Sequence, residues 1–493
     1  MCDAREPSPG WQFIRATKWA ILAISMAILA PCFWHRHIEA GDLASHMYNA
    51  WLAQLIEKGQ APGLYFVRQW DNVLFDWMIL HAANLFGFAA AEKIVVSACV
   101  LIFFWGVFAF VAAASGNAPW YLTPCFAMLA YGYSFNMGFI NYYLSLGLAS
   151  FGLALLWRGR GLERGLGVLI APLVFLAHPL GFLWLGGTLL YLGLWTKLPN
   201  WWKLAVPAAA TGAVYCLRLY LAHQNRFPVD WVHDPFYLMN GADQLTLYGE
   251  RYATLGWAAL VFGAFCVGAE LILRRRDMPF WRSLTLPAGL YAVAIFSVAL
   301  LPENLRPSIT GGWIGLLASR LTAITAIFGL CVMSCLKPRK WHLAGFSVCA
   351  IFFFTFLYQD TLVLDHMEST AEKLVSHLPF GTRVIETIWS PDDSRISFIG
   401  HMVDRACIGR CFSYANYEPA SGQFRIRVRQ GSPIVSASDD DNEDMQSGEY
   451  TIQERDLPMV EIYQCDAKDL TQLCMRDLAA GEKNGRVGYK PPD

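Results

Sequence analysis

The chain has 493 residues, 55% of them hydrophobic and only 16% charged, with a formal net charge of −1. A soluble domain carries roughly 25% charged residues, so an ordinary soluble protein is excluded, and the near-zero charge offers no basic footprint for a nucleic-acid partner. The apolar residues fall in runs of about 16–25 residues as far as Tyr358 and stop there, which predicts a polytopic α-helical membrane protein with a soluble C-terminal domain.

The first apolar run, Lys18–Trp34, follows Arg5, Arg15 and Lys18 and lacks a small-residue cleavage site, so it is expected to stay as an anchor. Asp42 comes just past it, beside Gly41, in the stretch Ile38–Tyr65. Met47, Trp51, Leu52 and Leu55 recur at helical spacing, which predicts an amphipathic helix over about Ala44–Lys58, lying along the membrane interface. Gly59 stops it and Pro62-Gly63 prevents restart. Asp42 is placed to cap this helix, and His46 lies one turn further on. The rest of this first outside loop, to Glu92, alternates aromatic and charged residues around Asp71 and Asp76. That pattern suits an interfacial belt or a sugar-stacking surface.

In all, about eleven spans are expected, at Lys18–Trp34, Lys93–Ala114, Pro119–Tyr133, Tyr142–Trp157, Leu166–Ala177, Leu180–Trp195, Leu204–Leu221, Tyr252–Leu273, Trp281–Leu301, Ser319–Leu336 and Trp341–Tyr358. The fifth and sixth are either two spans or a re-entrant pair broken at His178-Pro179. Basic residues at 158–164, 197–203, 274–276 and 337–340 would share the cytoplasmic side with the N-terminus. The Asp42 loop, the 223–251 and 302–318 loops and the C-terminal domain then lie outside.

The soluble domain, 360–493, reads as small and α+β, with the whole membrane part in 1–359. Phe424–Arg429 alternates strictly and predicts a half-exposed strand; Thr382–Ile388, Tyr450–Gln453 and Leu457–Tyr463 are further strand candidates, and Leu470–Ala480 looks helical. The acidic run Ser438–Asp444 is expected to be a solvated loop, since its spacing misses the glycine and terminal glutamate of an EF-hand. Cys407, Cys411, Cys465 and Cys474 predict two disulfides in an oxidising compartment, with the pairing open; a four-Cys zinc site competes, but the spacing has no CxxC. No Walker, Rossmann, HExxH or GxSxG signature is present.

An acidic residue soon after the first span, followed by an interfacial helix, resembles the polytopic glycosyltransferases of the C superfold (GT-C), which use polyprenyl-phosphate sugars. The likeness covers roughly thirty residues, and Asp42 is the position that matches the family's catalytic acid. The family often pairs that acid; here the nearest others are Glu39, Asp71 and Asp76, which leaves open whether a divalent cation (Mg or Mn) takes part. The resemblance implies transfer of a sugar from a polyprenyl-phosphate donor to a glycan or lipid acceptor on the periplasmic side of a bacterial inner membrane. On that reading Asp42 is the base, with His46 beside it. Arg306 and Arg320 suit the donor phosphate, because a guanidinium binds phosphate oxygens bidentately. Asp71, His178 and His233 are candidate substrate-binding residues, His178 because an ionisable group near membrane depth is a functional candidate by default. Membrane lipids would be further partners, and the oligomeric state is not legible. A transporter or flippase of lipid-linked glycans is the alternative, though it would show internal repeats. A scaffold with a partner-binding soluble domain ranks behind both.

Overall fold

The computed structural model describes residues 9–224, 228–306, 314–391, 393–396, 401–466 and 469–485. The chain enters through α1 (Pro9–Leu29), turns, and forms α2 (Leu43–Glu57), β1 (Leu64–Phe66) and α3 (Leu74–Phe86) ahead of the long α4 (Phe88–Ser115). Short α5 (Thr123–Ala130) and α6 (Tyr133–Asn136) precede α7 (Ile140–Arg158), α8 (Leu162–Ala177), α9 (Pro179–Lys197) and α10 (Ala205–His223). After β2 (Val229–Trp231) and α11 (Pro235–Leu238) come α12 (Glu250–Leu273), α13 (Met278–Leu300), β3 (Pro302–Leu305), α14 (Leu317–Ser334) and α15 (Lys340–Val375). The C-terminal part comprises β4 (Arg383–Thr387), α16 (Met402–Cys407), β5 (Phe412–Ser413), β6 (Ile426–Val428), α17 (Asp439–Ser447), β7 (Met459–Gln464) and β8 (Leu473–Asp477).

Among the described residues, 8 helical segments are long and apolar enough to cross a membrane: α4, α7, α9, 200–223 including α10, α12, α13, α14 and α15. Of the other three expected spans, the first lies in the 21-residue α1 and the turn after it, where the described apolar segment is Thr17–Cys32. The third breaks into a turn and the 8-residue α5. The fifth is the 16-residue α8, which carries Pro172, and His178 separates it from α9 in extended conformation. Large side chains such as Leu169, Leu183, Val261, Phe265, Ile351 and Phe352 point outward from these helices, as the lipid-facing surface of a polytopic membrane protein requires. The 36-residue α15 continues unbroken through the expected boundary at 359/360. Its last turns therefore carry bundle packing into the C-terminal domain.

That domain holds a four-stranded sheet in the order β5-β4-β7-β8, with β4 parallel to β5 and β7, and β7 antiparallel to β8. The strands expected at 382–388 and 457–463 are β4 and β7. Tyr450–Gln453 makes only a single bridge, Thr451 to Lys483, and is not a strand. Leu470–Ala480 is not a helix: its centre is β8, because Cys474 is bonded to Cys465 across the hairpin and Arg476 lies opposite Glu461, with Arg476 Nε 2.7 Å from Glu461 Oε2. The acidic run is not a loop either. It opens α17, where Ser438 Oγ accepts the Asp441 amide and Asp439, Asp440 and Asp441 occupy the first turn, the end of a helix that favours negative charge. The four soluble cysteines form two disulfides, Cys407–Cys411 and Cys465–Cys474.

The C-terminal domain is stitched to the first outside loop. β6 pairs antiparallel with β1, Tyr65 opposite Arg427, and Arg425 and Arg429 lie over the Phe66 and Tyr65 rings at 4.9 and 5.1 Å. Helix α2 has the expected bounds, and Gly59 follows it at φ +68. It is not an exposed amphipathic helix, however. Its buried residues run from Leu43 through Leu55 on every side, because the C-terminal domain covers its outer face. Phe412 stacks on Trp51 at 5.8 Å, and Tyr48 Oη accepts the Ser413 amide at 3.0 Å.

Candidate functional site

The site begins with two backbones packed against each other. The Asp42 amide donates to the Met137 carbonyl at 3.1 Å. A Cβ on Gly41 would strike that carbonyl, and one on Gly138 (φ +77) would strike the Asp42 amide. Only two glycines allow the Asp42 turn to lie directly on the turn before α7. Asp42 then occupies the N-cap position of α2 without acting as a cap: its side chain accepts no helical amide. Among the described residues its nearest charged partner is His401, with Nε2 3.9 Å from Oδ1, too long for a hydrogen bond. The Asp42 side chain is 31% exposed.

Around this carboxylate several polar groups are held by one another. His46 Nδ1 is 2.6 Å from Asp76 Oδ1, and Asn141 donates to Asp76 Oδ2 at 3.1 Å. On the next turns of α2, Ser45 and Asn49 each donate at 2.6 Å to the two oxygens of Glu418. His401 Nδ1 is 2.8 Å from Asp404, and its ring packs on Tyr417 at 5.6 Å. Burial would lower both imidazoles, but neighbouring carboxylates outweigh it. Asp76, then Glu418 and Asp42, push His46 up to about 9. Asp404, then Asp42 and Glu418, push His401 up to about 10. Burial pushes the Glu418 carboxyl up to about 7 against the pull of His46. Asp42 thus faces two imidazoliums that bond elsewhere.

No protein-family model, curated protein or solved structure matches this chain. What the site does has to come from its own groups.

Arg320, near the start of α14, completes the arrangement. Its guanidinium lies over the Phe139 ring at 4.4 Å and, among the described residues, donates once, from NH1 to the Gly315 carbonyl at 3.0 Å. Its buried Nε has no partner, and among the described residues it makes no ion pair. Its charge reaches Asp42, Tyr142, Tyr133 and Tyr417. Beside it, α9, α10, α13 and α14 enclose an apolar groove of about 830 Å³, lined by Leu180, Trp184, Leu305, Leu317, Leu321 and Phe328 among others. Leu321 follows Arg320 in the chain, and Leu180 lies two residues beyond His178.

The other sequence candidates are dispersed. His178 caps α9, its Nδ1 accepting the Leu180 amide at 3.1 Å, and its ring meets the edge of Tyr142, whose hydroxyl donates to the Arg320 carbonyl. It therefore belongs to the Arg320 side of the site. Arg306 is exposed just past β3, where its charge reaches Asp439 of α17. His233 is exposed between β2 and α11. Asp71 is half-buried and its carbonyl accepts Gln69; Asp76, one helical entry later, is the acid that meets His46. His401, Asp404, Tyr417 and Glu418 escaped sequence reasoning because no local pattern ties them to residues more than 350 positions earlier, as the 373-residue separation of Ser45 and Glu418 shows.

Proposed function

We propose that the chain is a membrane glycosyltransferase of the GT-C type, taking its sugar from a polyprenyl-phosphate donor. The observation that carries this reading is an Asp42 carboxylate without a side-chain hydrogen bond and an Arg320 guanidinium without an ion pair, among the described residues, whose charges reach each other, with Leu317 and Leu321 on the same helix as Arg320 lining an apolar groove. A lipid-phosphate sugar needs those three features together: a groove for the tail, a cation for the phosphate and a base for the incoming hydroxyl.

In this mechanism Asp42 takes the proton from the acceptor hydroxyl. The acceptor oxygen bonds to the anomeric carbon from the face opposite the leaving group, and the bond from that carbon to the phosphate oxygen breaks. The polyprenyl phosphate leaves with the bonding electrons, and Arg320 offsets its charge. His46 and His401 stay protonated at neutral pH and so serve as fixed charges that orient Asp42, not as bases. The disulfide-bonded domain over Asp42 suits a periplasmic face, which puts the acceptor glycan or lipid on that side of an inner membrane. Of the eleven expected spans, those in α1, α5 and α8 would complete the bundle.

The test uses full-length protein in detergent or nanodiscs with a labelled polyprenyl-phosphate hexose. Saturable binding, with release of polyprenyl phosphate, supports the reading. A chain that neither binds nor turns over such donors, across several hexoses, overturns it in favour of transport.

A further inference from the structure

A second charged cluster lies behind the Asp42 turn, where the first outside loop, α4, α15 and α16 meet. Five carboxylates converge there: Glu39, Glu92, Asp365, Glu368 and Glu372. Arg405 of α16 bonds Glu368 Oε2 at 2.9 Å and the Ile38 carbonyl at 3.0 Å, and lies 3.5 Å from Glu92. Arg36 pairs with Glu372 at 2.7 Å, and the charge of Lys93 reaches Glu92 and Asp365. Three fixed cations, Arg405, Arg36 and Lys93, thus face five carboxyl groups.

Two oxygens of the cluster have no donor among the described residues. Glu368 is 1% exposed and its Oε1 is buried without a hydrogen-bond partner, as is Glu39 Oε1. The two carboxyl groups interact directly with each other. Two ionised carboxylates cannot donate to one another, so either a shared proton or a cation belongs between or beside them. Next to them, donor atoms of His37, Glu39 and Asp365 all lie within 4.8 Å of one another. His37 Nδ1 is already 2.9 Å from Asp365 Oδ1. Ligands on a four-coordinate cation with bonds of about 2.1 Å stand roughly 3.4 Å apart, so shifts of about an ångström would close the shell. The other ring nitrogen, Nε2, is 3.2 Å from Glu372 Oε1. A metal-bound histidine is held in this way, its outer N–H given to a carboxylate.

We propose that His37, Glu39 and Asp365, with Glu368 beside them, bind one divalent first-row cation that clamps the first outside loop to α15. One imidazole with carboxylates suits Zn²⁺ or Mn²⁺ better than Ca²⁺ or Mg²⁺. The clamp holds Glu39 three residues before Asp42 and so fixes the Asp42 turn from behind. It is independent of the transferase reading.

The test reads metal, not activity. Full-length protein is stripped with chelator, reloaded with Zn²⁺ or Mn²⁺, and measured for bound metal per chain and for thermal unfolding. One tightly bound ion per chain and a higher midpoint with metal are expected, with affinity down at least tenfold in Glu39→Gln and Asp365→Asn. Asp71→Asn, outside the cluster, should bind as the parent does. Should Asp365→Asn not fold, Glu39→Gln and the parent's own metal content still decide. Binding that both cluster variants leave unchanged, or a parent that holds no ion after reloading, overturns the proposal and leaves a shared proton between Glu39 and Glu368.

Discussion

Arg405 meets the chain at Ile38, ahead of the Asp42 turn, and Arg320 is within reach of the Asp42 charge; the two are used differently. Arg405 is bound by Glu368, the Ile38 carbonyl and Glu92, which ties α16 to the bundle. Arg320 gives one hydrogen bond to a backbone carbonyl and rests on Phe139. A buried cation surrounded by carboxylates braces the protein. Both leave Nε without a partner, so the contrast is one of counter-charge: a cation with no ion pair among the described residues, near an apolar groove, is available to a ligand. The same contrast separates the acids: Asp76, Asp404 and Glu418 are bonded, while the Asp42 side chain has no hydrogen bond among the described residues.

The largest effect should come from breaking the brace. Arg405→Leu leaves Glu368 and Glu92 buried without their partner, at a cost of about 3–5 kcal/mol in unfolding free energy. Denaturant unfolding of the detergent-solubilised chain measures it, and a loss under about 1 kcal/mol would erase the distinction between the two arginines. Arg320→Gln should do the reverse. It should leave unfolding nearly unchanged but weaken binding of a polyprenyl phosphate by about 1.5–3 kcal/mol per lost charged hydrogen bond. Arg320→Lys keeps the charge and loses the fork, so it should recover only part of the affinity. Unchanged binding in Arg320→Gln would move the phosphate role elsewhere.

A smaller effect sharpens the comparison among the histidines. His46 rises from 6.5 to about 9, so the folded state holds its proton more tightly than the unfolded chain does. That stabilisation is fully present below pH 6.5 and is lost as pH rises through about 9. Asp76→Asn removes the main attraction, so stability should fall less steeply over that window, by up to one proton's worth, about 1.4 kcal/mol per pH unit. A profile as steep as the parent's would mean that Asp76 does not hold the His46 proton.

Much of the bundle was legible because eight segments are long apolar runs, and few other structures explain such runs. The bounds of α2 were legible too, since Gly59 and Pro62 are local signals. Its setting was not. The sequence around Met47 and Trp51 describes one apolar face, while Phe412, Ser413 and Glu418, which cover the other faces, come from the far end of the chain. The same reason hid His401 from the site. Leu470–Ala480 was misread because its apolar spacing fits a helix, and only the Cys465–Cys474 link and the Glu461–Arg476 pair commit it to a hairpin. Asp42 itself stood out by position alone: an acid just past the first span, beside the glycine that lets its turn pack.

Asp42→Asn tests the central claim most directly. Asp42 caps no amide, so the substitution should leave unfolding within about 0.5 kcal/mol of the parent. Asparagine removes the basicity and nearly keeps the shape, so transfer from a polyprenyl-phosphate sugar should fall by about 10²–10⁴-fold. The measurement is the rate of polyprenyl-phosphate release by folded parent and variant at equal concentration. A folded Asp42→Asn protein that transfers sugar at the parent rate would contradict the account.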